Sequence, residues 1–209
     1  MLTDLFHKTA EETKMIYIVS GFMRSGTSMM MRCLEAGGLT VEYDKDREDH
    51  MQKDYPDGNP VFYEQTHESR IKNLSHAAHE NGMVYGYADS CLGSEDLANK
   101  FTQQYEGKVI KVLEPWLWCL PRNANIEMIF MTRDPKEIRK SFNHMLGRDL
   151  GADWVAEYWT MVNDKVTELR ESFPVTITDY NKFIRHPVFP EWGIDEAKAA
   201  SVINKKWAA

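Results

Sequence analysis

The chain has 209 residues, 43% hydrophobic and 27% charged, so the default reading is one globular domain over residues 1–209 with its own core, and a disordered or fibrous chain is excluded. Its 32 acidic against 25 basic residues give a net charge of −7, which excludes broad binding to nucleic acid or to an anionic membrane, because both need a positive surface. Cys33, Cys91 and Cys119 show no CxxC spacing and indicate neither a disulfide framework nor a zinc knuckle; a reducing compartment fits them.

Residues 1–14, MLTDLFHKTAEETK, scatter charges through a stretch with no apolar signal-like run and read as an N-terminal helical extension. With no apolar run long enough to cross a bilayer, the expected location is the cytoplasm. MIYIVSG (15–21) is expected as the first strand, and TSMMMRCLEAGG (27–38) as the helix after it, closed by Gly37 and Gly38. Between them Gly21 and Gly26 stand five positions apart ahead of Thr27 and Ser28. That spacing sets a run of backbone N–H groups at a helix N-terminus, where unpaired donors and the positive dipole end favour an anion. A plain Gly/Ser turn before a buried helix is the other reading. A nucleotide triphosphatase carries a lysine after the second glycine. Here that place is Thr27, and a permanent cation, Arg24, sits inside the loop.

Residues 44–62 are polar and rich in Asp, Pro and Gly, the composition of a long surface excursion that extends to about residue 82. A helix is expected from about 64 to 81, then strands at 83–89, 108–114, 126–133 and 173–178. Further helices are expected at about 95–105, 135–147, 152–172 and 195–207. This alternation predicts an α/β fold, three layers α/β/α around a central, mostly parallel sheet. In IFMTRDPKEIRKSF, Arg133 falls at a strand end and Ser141 eight residues later on a helix; Arg133 either meets an anion or pairs with Asp134 or Glu137. His76 and His79, three apart, lack a third ligand with metal spacing and read as a solvated face. Asp89 is a strand-end carboxylate of a common kind.

The segment Arg24-Ser25-Gly26-Thr27-Ser28 resembles the 5′-phosphosulfate loop of the sulfotransferase family that uses 3′-phosphoadenosine 5′-phosphosulfate (PAPS). Arg133 and Ser141 keep the types and spacing of that family's 3′-phosphate pair. Tyr180 and Pro187 keep the interval of a third family segment, with Asn181 and Lys182 in place of its acidic pair. NPVFYEQTHESR and the loop look closest to bacterial-type members. The resemblance implies a P-loop NTPase-like, nucleotide-kinase-like fold. It also implies transfer of sulfonate from PAPS to a hydroxyl or amine of a small-molecule acceptor, release of adenosine 3′,5′-bisphosphate, and no metal. Carried over residue by residue, it implies that Arg24, Ser25, Gly26, Thr27 and Ser28 hold the 5′-phosphosulfate, with Arg24 also stabilising charge on the bridging oxygen. Arg133 and Ser141 would hold the 3′-phosphate. Tyr180 is either an adenine contact or a core tyrosine.

The proton acceptor is open. Cytosolic members carry a His in a Lys-Thr-His-Leu-Pro stretch; the corresponding Lys111–Pro115 stretch has Leu113 there. Glu64, in a segment resembling the glutamate-bearing one of other members, is the first choice, Glu114 the second and His67 the third. The family's C-terminal Arg-Lys-Gly segment is absent, Lys205 and Lys206 being the only basic cluster there. The acceptor pocket falls to residues 44–82 and 143–160, where Phe62, Tyr63, Trp154 and Trp159 are either walls or core. Two rivals stand beside this reading: a small-molecule or nucleotide kinase with a degenerate loop, needing ATP and Mg²⁺, and a non-catalytic nucleotide-binding module.

Overall fold

In the computed structural model, which describes residues 15–56, 61–63, 95–113, 117, 120–149 and 151–203, the run IYIVSG forms β1 (Ile16–Gly21), buried at every position but Tyr17. A strand apolar on both faces needs a layer on each. The described elements continue as α1 (Thr27–Ala36), β2 (Val41–Glu42), α2 (Lys45–Asp54), α3 (Glu95–Tyr105), β3 (Val109–Lys111) and β4 (Ile126–Thr132). Then follow α4 (Pro135–Leu146), α5 (Ala152–Leu169), β5 (Val175–Asp179), α6 (Tyr180–Arg185) and α7 (Glu196–Ser201).

The sheet has the order β2-β3-β1-β4-β5, and each pairing is parallel. Side-chain alternation divides the core in two. Ile16, Ile18, Ile126, Met128 and Phe130 pack with Ile138 and Phe142 of α4 and Val155, Val162, Val166 and Leu169 of α5. Val19, Val109, Ile129 and Met131 face Met30, Met31 and Leu34 of α1, Tyr180, Phe183 and Ile184 of α6, and Ala199 of α7. This is the expected three-layer α/β/α arrangement on a parallel sheet, with the strand order of a P-loop NTPase-like fold.

The topology also places the site. From β1 the chain leaves toward β2, and from the adjacent β4 it leaves toward β5 on the other side. Open parallel sheets bind ligands beyond the carboxyl ends of strands at such a reversal. The loop after β1 and Arg133 after β4 both lie there.

Two expectations are refined. Residues 45–54 are helix α2, inside what reads as a long surface excursion. Asp44 caps it by accepting from the Arg47 N–H at 3.0 Å, with Asp46 and Glu48 in its first turn and Lys53 in its last. Caps and charges placed to suit the dipole make a helix without an apolar stripe. The helix expected over 152–172 ends at Leu169, where turn hydrogen bonds through Phe173 close it. The elements expected at 1–14, 64–81 and 83–89 lie outside the described residues.

Candidate functional site

Residues 22–26 turn β1 into α1 through two left-handed positions, Arg24 at φ 67° and Gly26 at φ 103°. Gly26 is required twice over: besides the positive φ, a Cβ there would stand 2.3 Å from Tyr180 Cδ2. As N-cap of α1, Gly26 offers no side-chain hydrogen bond, and the first turn holds no acidic residue. Among the described residues, then, neither an N-cap side chain nor a first-turn carboxylate offsets the first amides and the positive dipole end of α1. The hydroxyl oxygens of Ser20 and Ser25, both fully buried, have no partner among the described residues. Ser20 belongs to β1, whereas Ser25 directly precedes the N-cap of α1, where a buried unsatisfied hydroxyl is a donor for an anion.

Arg24 aims its Nε at Ser141 Oγ on α4, 3.0 Å away. Its pKa lies below the ordinary guanidinium value, first through burial and then through the nearby charge of Arg133, with Tyr180 acting the other way. It remains a cation at neutral pH.

Arg133 is held on three sides. Its Nε donates to Glu137 Oε2 at 2.9 Å, and its Nη1 approaches the carbonyl oxygen of Arg24 at 3.4 Å. The guanidinium carbon lies 4.2 Å from the centre of the Tyr180 ring. Glu137 in turn accepts from Asn181 Nδ2 through both oxygens, at 3.1 and 3.0 Å. Trp159 of α5 anchors the backbone by donating from Nε1 to the Arg133 carbonyl at 2.9 Å. Arg133 Nη2 has no hydrogen-bond partner among the described residues. So Arg133 does form the ion pair with Glu137, and it still has an unspent edge.

A third cation arrives from β3. Lys111 is 2% exposed, and its register partner is Val19 of β1. Its Nζ donates to the Phe62 carbonyl and lies 3.4 Å from Ser28 Oγ, which itself donates to the same carbonyl at 3.0 Å. The Val61–Tyr63 segment is held from its other side by α2. The buried carboxylate of Glu48 accepts from the N–H groups of Phe62 and Tyr63, each at 2.7 Å. Tyr63 takes a left-handed φ of 56°, and its hydroxyl donates to Glu35 at 2.6 Å.

The structure thus draws Arg24, Ser25, Gly26, Thr27, Ser28, Arg133, Ser141 and Tyr180 to one end of the sheet. Ser141 meets Arg24, while Arg133 meets Glu137. Tyr180 is buried at 5% exposure, as its core reading has it, and also serves as a shelf beneath Arg133. Glu64, Glu114 and His67 lie outside the described residues. Sequence reasoning passes over Lys111, Glu48, Glu137 and Asn181 as site residues. For Lys111 a signal existed: a lysine inside the apolar run Val109-Ile110-Lys111-Val112 is out of place in a central strand unless something anionic or polar receives it. Cys33 is a buried free thiol whose pKa burial pushes up to about 12, so it is no nucleophile. Among the described residues no cluster of His, Cys, Asp or Glu is arranged to hold a metal, and no helix is long and apolar enough to cross a membrane.

No protein-family model and no curated protein matches the chain. Among solved structures it is similar to the sulfotransferase domain of a Synechococcus olefin synthase, at 16% identity over 93% of this chain and 86% of that one, with a TM-score of 0.45. It is also similar to a Janibacter sugar kinase, at 12% identity over 94% and 98% with a TM-score of 0.37. For the dephospho-CoA kinase of Campylobacter jejuni the values are 10% identity, 90% and 94%, and 0.36.

Proposed function

We propose that the protein is a PAPS-dependent sulfotransferase acting on a hydroxyl or amine of a small-molecule acceptor, with adenosine 3′,5′-bisphosphate released. The observation that carries this reading is the gathering of Arg24, Lys111 and Arg133 from a loop, a strand and a strand end around the uncapped N-terminus of α1. A nucleotide with separate 3′ and 5′ anionic groups needs two such places. The loop with Lys111 supplies one, and the unspent edge of Arg133 the other.

PAPS brings a sulfonate already activated by its phosphosulfate anhydride. The residues do the rest. Backbone N–H groups at the start of α1, with Ser25, Thr27 and Ser28, orient the 5′ end. Arg24 and Lys111 offset charge that builds on the leaving oxygen, in a site where burial makes each charge count for more than in water. Arg133 and Ser141 hold the 3′-phosphate, and Tyr180 supports Arg133. Glu64, which follows the anchored Val61–Tyr63 segment in sequence, takes the acceptor proton, with Glu114 and His67 as the other candidates.

The kinase reading shares the loop but not its neighbour. In a Gly-x-x-x-x-Gly-Lys-Ser/Thr loop the last hydroxyl ligates Mg²⁺, and here Lys111 Nζ lies 3.4 Å from the Ser28 hydroxyl oxygen. An ammonium at that distance disfavours a divalent cation there and supports a reaction without one. Calorimetry with PAPS, adenosine 3′,5′-bisphosphate, ATP, and ATP with Mg²⁺ tests the assignment. The expected order puts the first two well ahead; tightest binding of ATP with Mg²⁺ overturns it. Bisphosphate release in the presence of acceptors separates an enzyme from a binding module.

A further inference from the structure

We infer that Glu137 and Asn181 form a positioning pair that aims the free edge of Arg133, and that this pair sets the preference for a 3′,5′-bisphosphate nucleotide over a 5′-monophosphate. The inference rests on the reading of Arg133 as a 3′-phosphate ligand. An arginine at a strand end has four side-chain torsions, and ordering them weakens binding if the ligand must do it. Here the ordering precedes the ligand.

Three contacts fix the guanidinium. Glu137, one helical turn further on in α4, takes Nε at 2.9 Å; the Tyr180 ring covers one face at 4.2 Å; the Arg24 carbonyl lies 3.4 Å from Nη1. What remains is the Nη2 side. Glu137 would be a loose anchor alone, since its side chain is 40% exposed. Asn181 removes that freedom by donating to both carboxylate oxygens from the first turn of α6, across 44 residues of sequence. The amide is the right group for the task. A carboxylate at 181, as in the acidic pair of the family the chain resembles, would face the carboxylate of Glu137 with no proton to share.

Charge and positioning predict opposite signs. Were Glu137 only a nearby negative charge, its removal would strengthen binding of the more highly charged nucleotide. Loss of positioning weakens that binding and leaves the monophosphate unaffected.

The test is calorimetry of adenosine 3′,5′-bisphosphate and 5′-AMP on the parental chain and on Asn181→Ala, Glu137→Ala and Glu137→Gln, with thermal melts to confirm folding. The bisphosphate-to-monophosphate affinity ratio should fall about tenfold in both alanine variants, the scale of one hydrogen bond to a charged group. Glu137→Gln should keep most of the ratio, because its amide oxygen still accepts from Arg133 Nε. If Asn181→Ala does not fold, Asn181→Ser supplies the same readout. A parental preference that survives, or rises, in the alanine variants overturns the role of the pair alone. A parental chain that does not discriminate between the two nucleotides overturns the 3′-phosphate reading, and this inference with it.

Discussion

Arg24 combines a left-handed backbone with a buried charge, and the two can be separated by substitution. Arg24→Ala removes the guanidinium but keeps a side chain at φ 67°, whereas Arg24→Gly removes the strain as well. Both should lower turnover about 100-fold, the usual loss for one donor to developing charge. Thermal unfolding should nevertheless place the glycine variant above the alanine variant by about 1 kcal/mol. Equal melting temperatures would show that the loop relaxes out of this conformation in solution. Lys111 makes a contrasting case, being a charge without backbone strain. Lys111→Met keeps the volume of a residue that is 2% exposed but leaves the Phe62 carbonyl without its ammonium. Affinity for adenosine 3′,5′-bisphosphate should drop by about 2 to 5 kcal/mol, as for other buried charge partners. Calorimetry that finds affinity unchanged would remove Lys111 from the anion site.

At the scale of the element, α2 holds the Val61–Tyr63 segment through one buried side chain, Glu48. The two Glu48 oxygens each accept a backbone N–H at 2.7 Å, so Glu48→Gln turns one acceptor into a donor that faces another donor. The expected cost is about 1 to 3 kcal/mol, the penalty for an unsatisfied buried group. Amide hydrogen exchange at Phe62 and Tyr63 should quicken before the rest of the chain responds. Unchanged protection there would mean that Lys111 and Ser28 suffice to hold the segment. The C-terminal end of α4 carries a pH signature. Asp149 has its pKa well below the ordinary 3.8 because Arg139, then the Gly151 N–H and Asn143, bond its charged form. A depressed native pKa stabilises fully above the unfolded value and is lost as pH falls through the native one. In an NMR titration Asp149 should therefore stay ionised below pH 3.8, the ordinary aspartate value. Titration of Asp149 at that ordinary value would show that the Arg139 pair is open in solution.

At the scale of the whole molecule, β1 belongs to both core layers at once. Ile18 faces α4 and α5, and its neighbour Val19 faces α1 and α6; both are fully buried. Ile18→Ala and Val19→Ala should each cost about 2 to 5 kcal/mol and shift one shared denaturant transition. Two transitions, each sensitive to only one variant, would mean that the layers unfold separately. This division explains what was legible beforehand. β1 and β4 announced themselves because strands covered on both faces are mostly apolar, and the loop did so through its glycines, of which Gly26 takes a positive φ with no room for a Cβ. Helix α2 stayed hidden because caps rather than apolar periodicity make it. The assignments of Lys111 and of the Glu137–Asn181 pair depend on contacts made across strand register and between separate helices. Lys111 stands opposite Val19 and reaches Ser28 only once β3 lies beside β1, and no local window contains that fact.

The placement of that lysine has a consequence for redesign. In a Gly-x-x-x-x-Gly-Lys-Ser/Thr loop the cation and the backbone cradle lie in one short stretch of chain and can be moved together. Here the ammonium beside Ser28 comes from a strand more than eighty residues downstream, so a graft of the Gly21–Ser28 turn alone would carry the cradle without it. A lysine introduced at buried position 27 would instead put a further cation into a site that already holds Arg24 and Lys111, and each charge would raise the cost of burying the others.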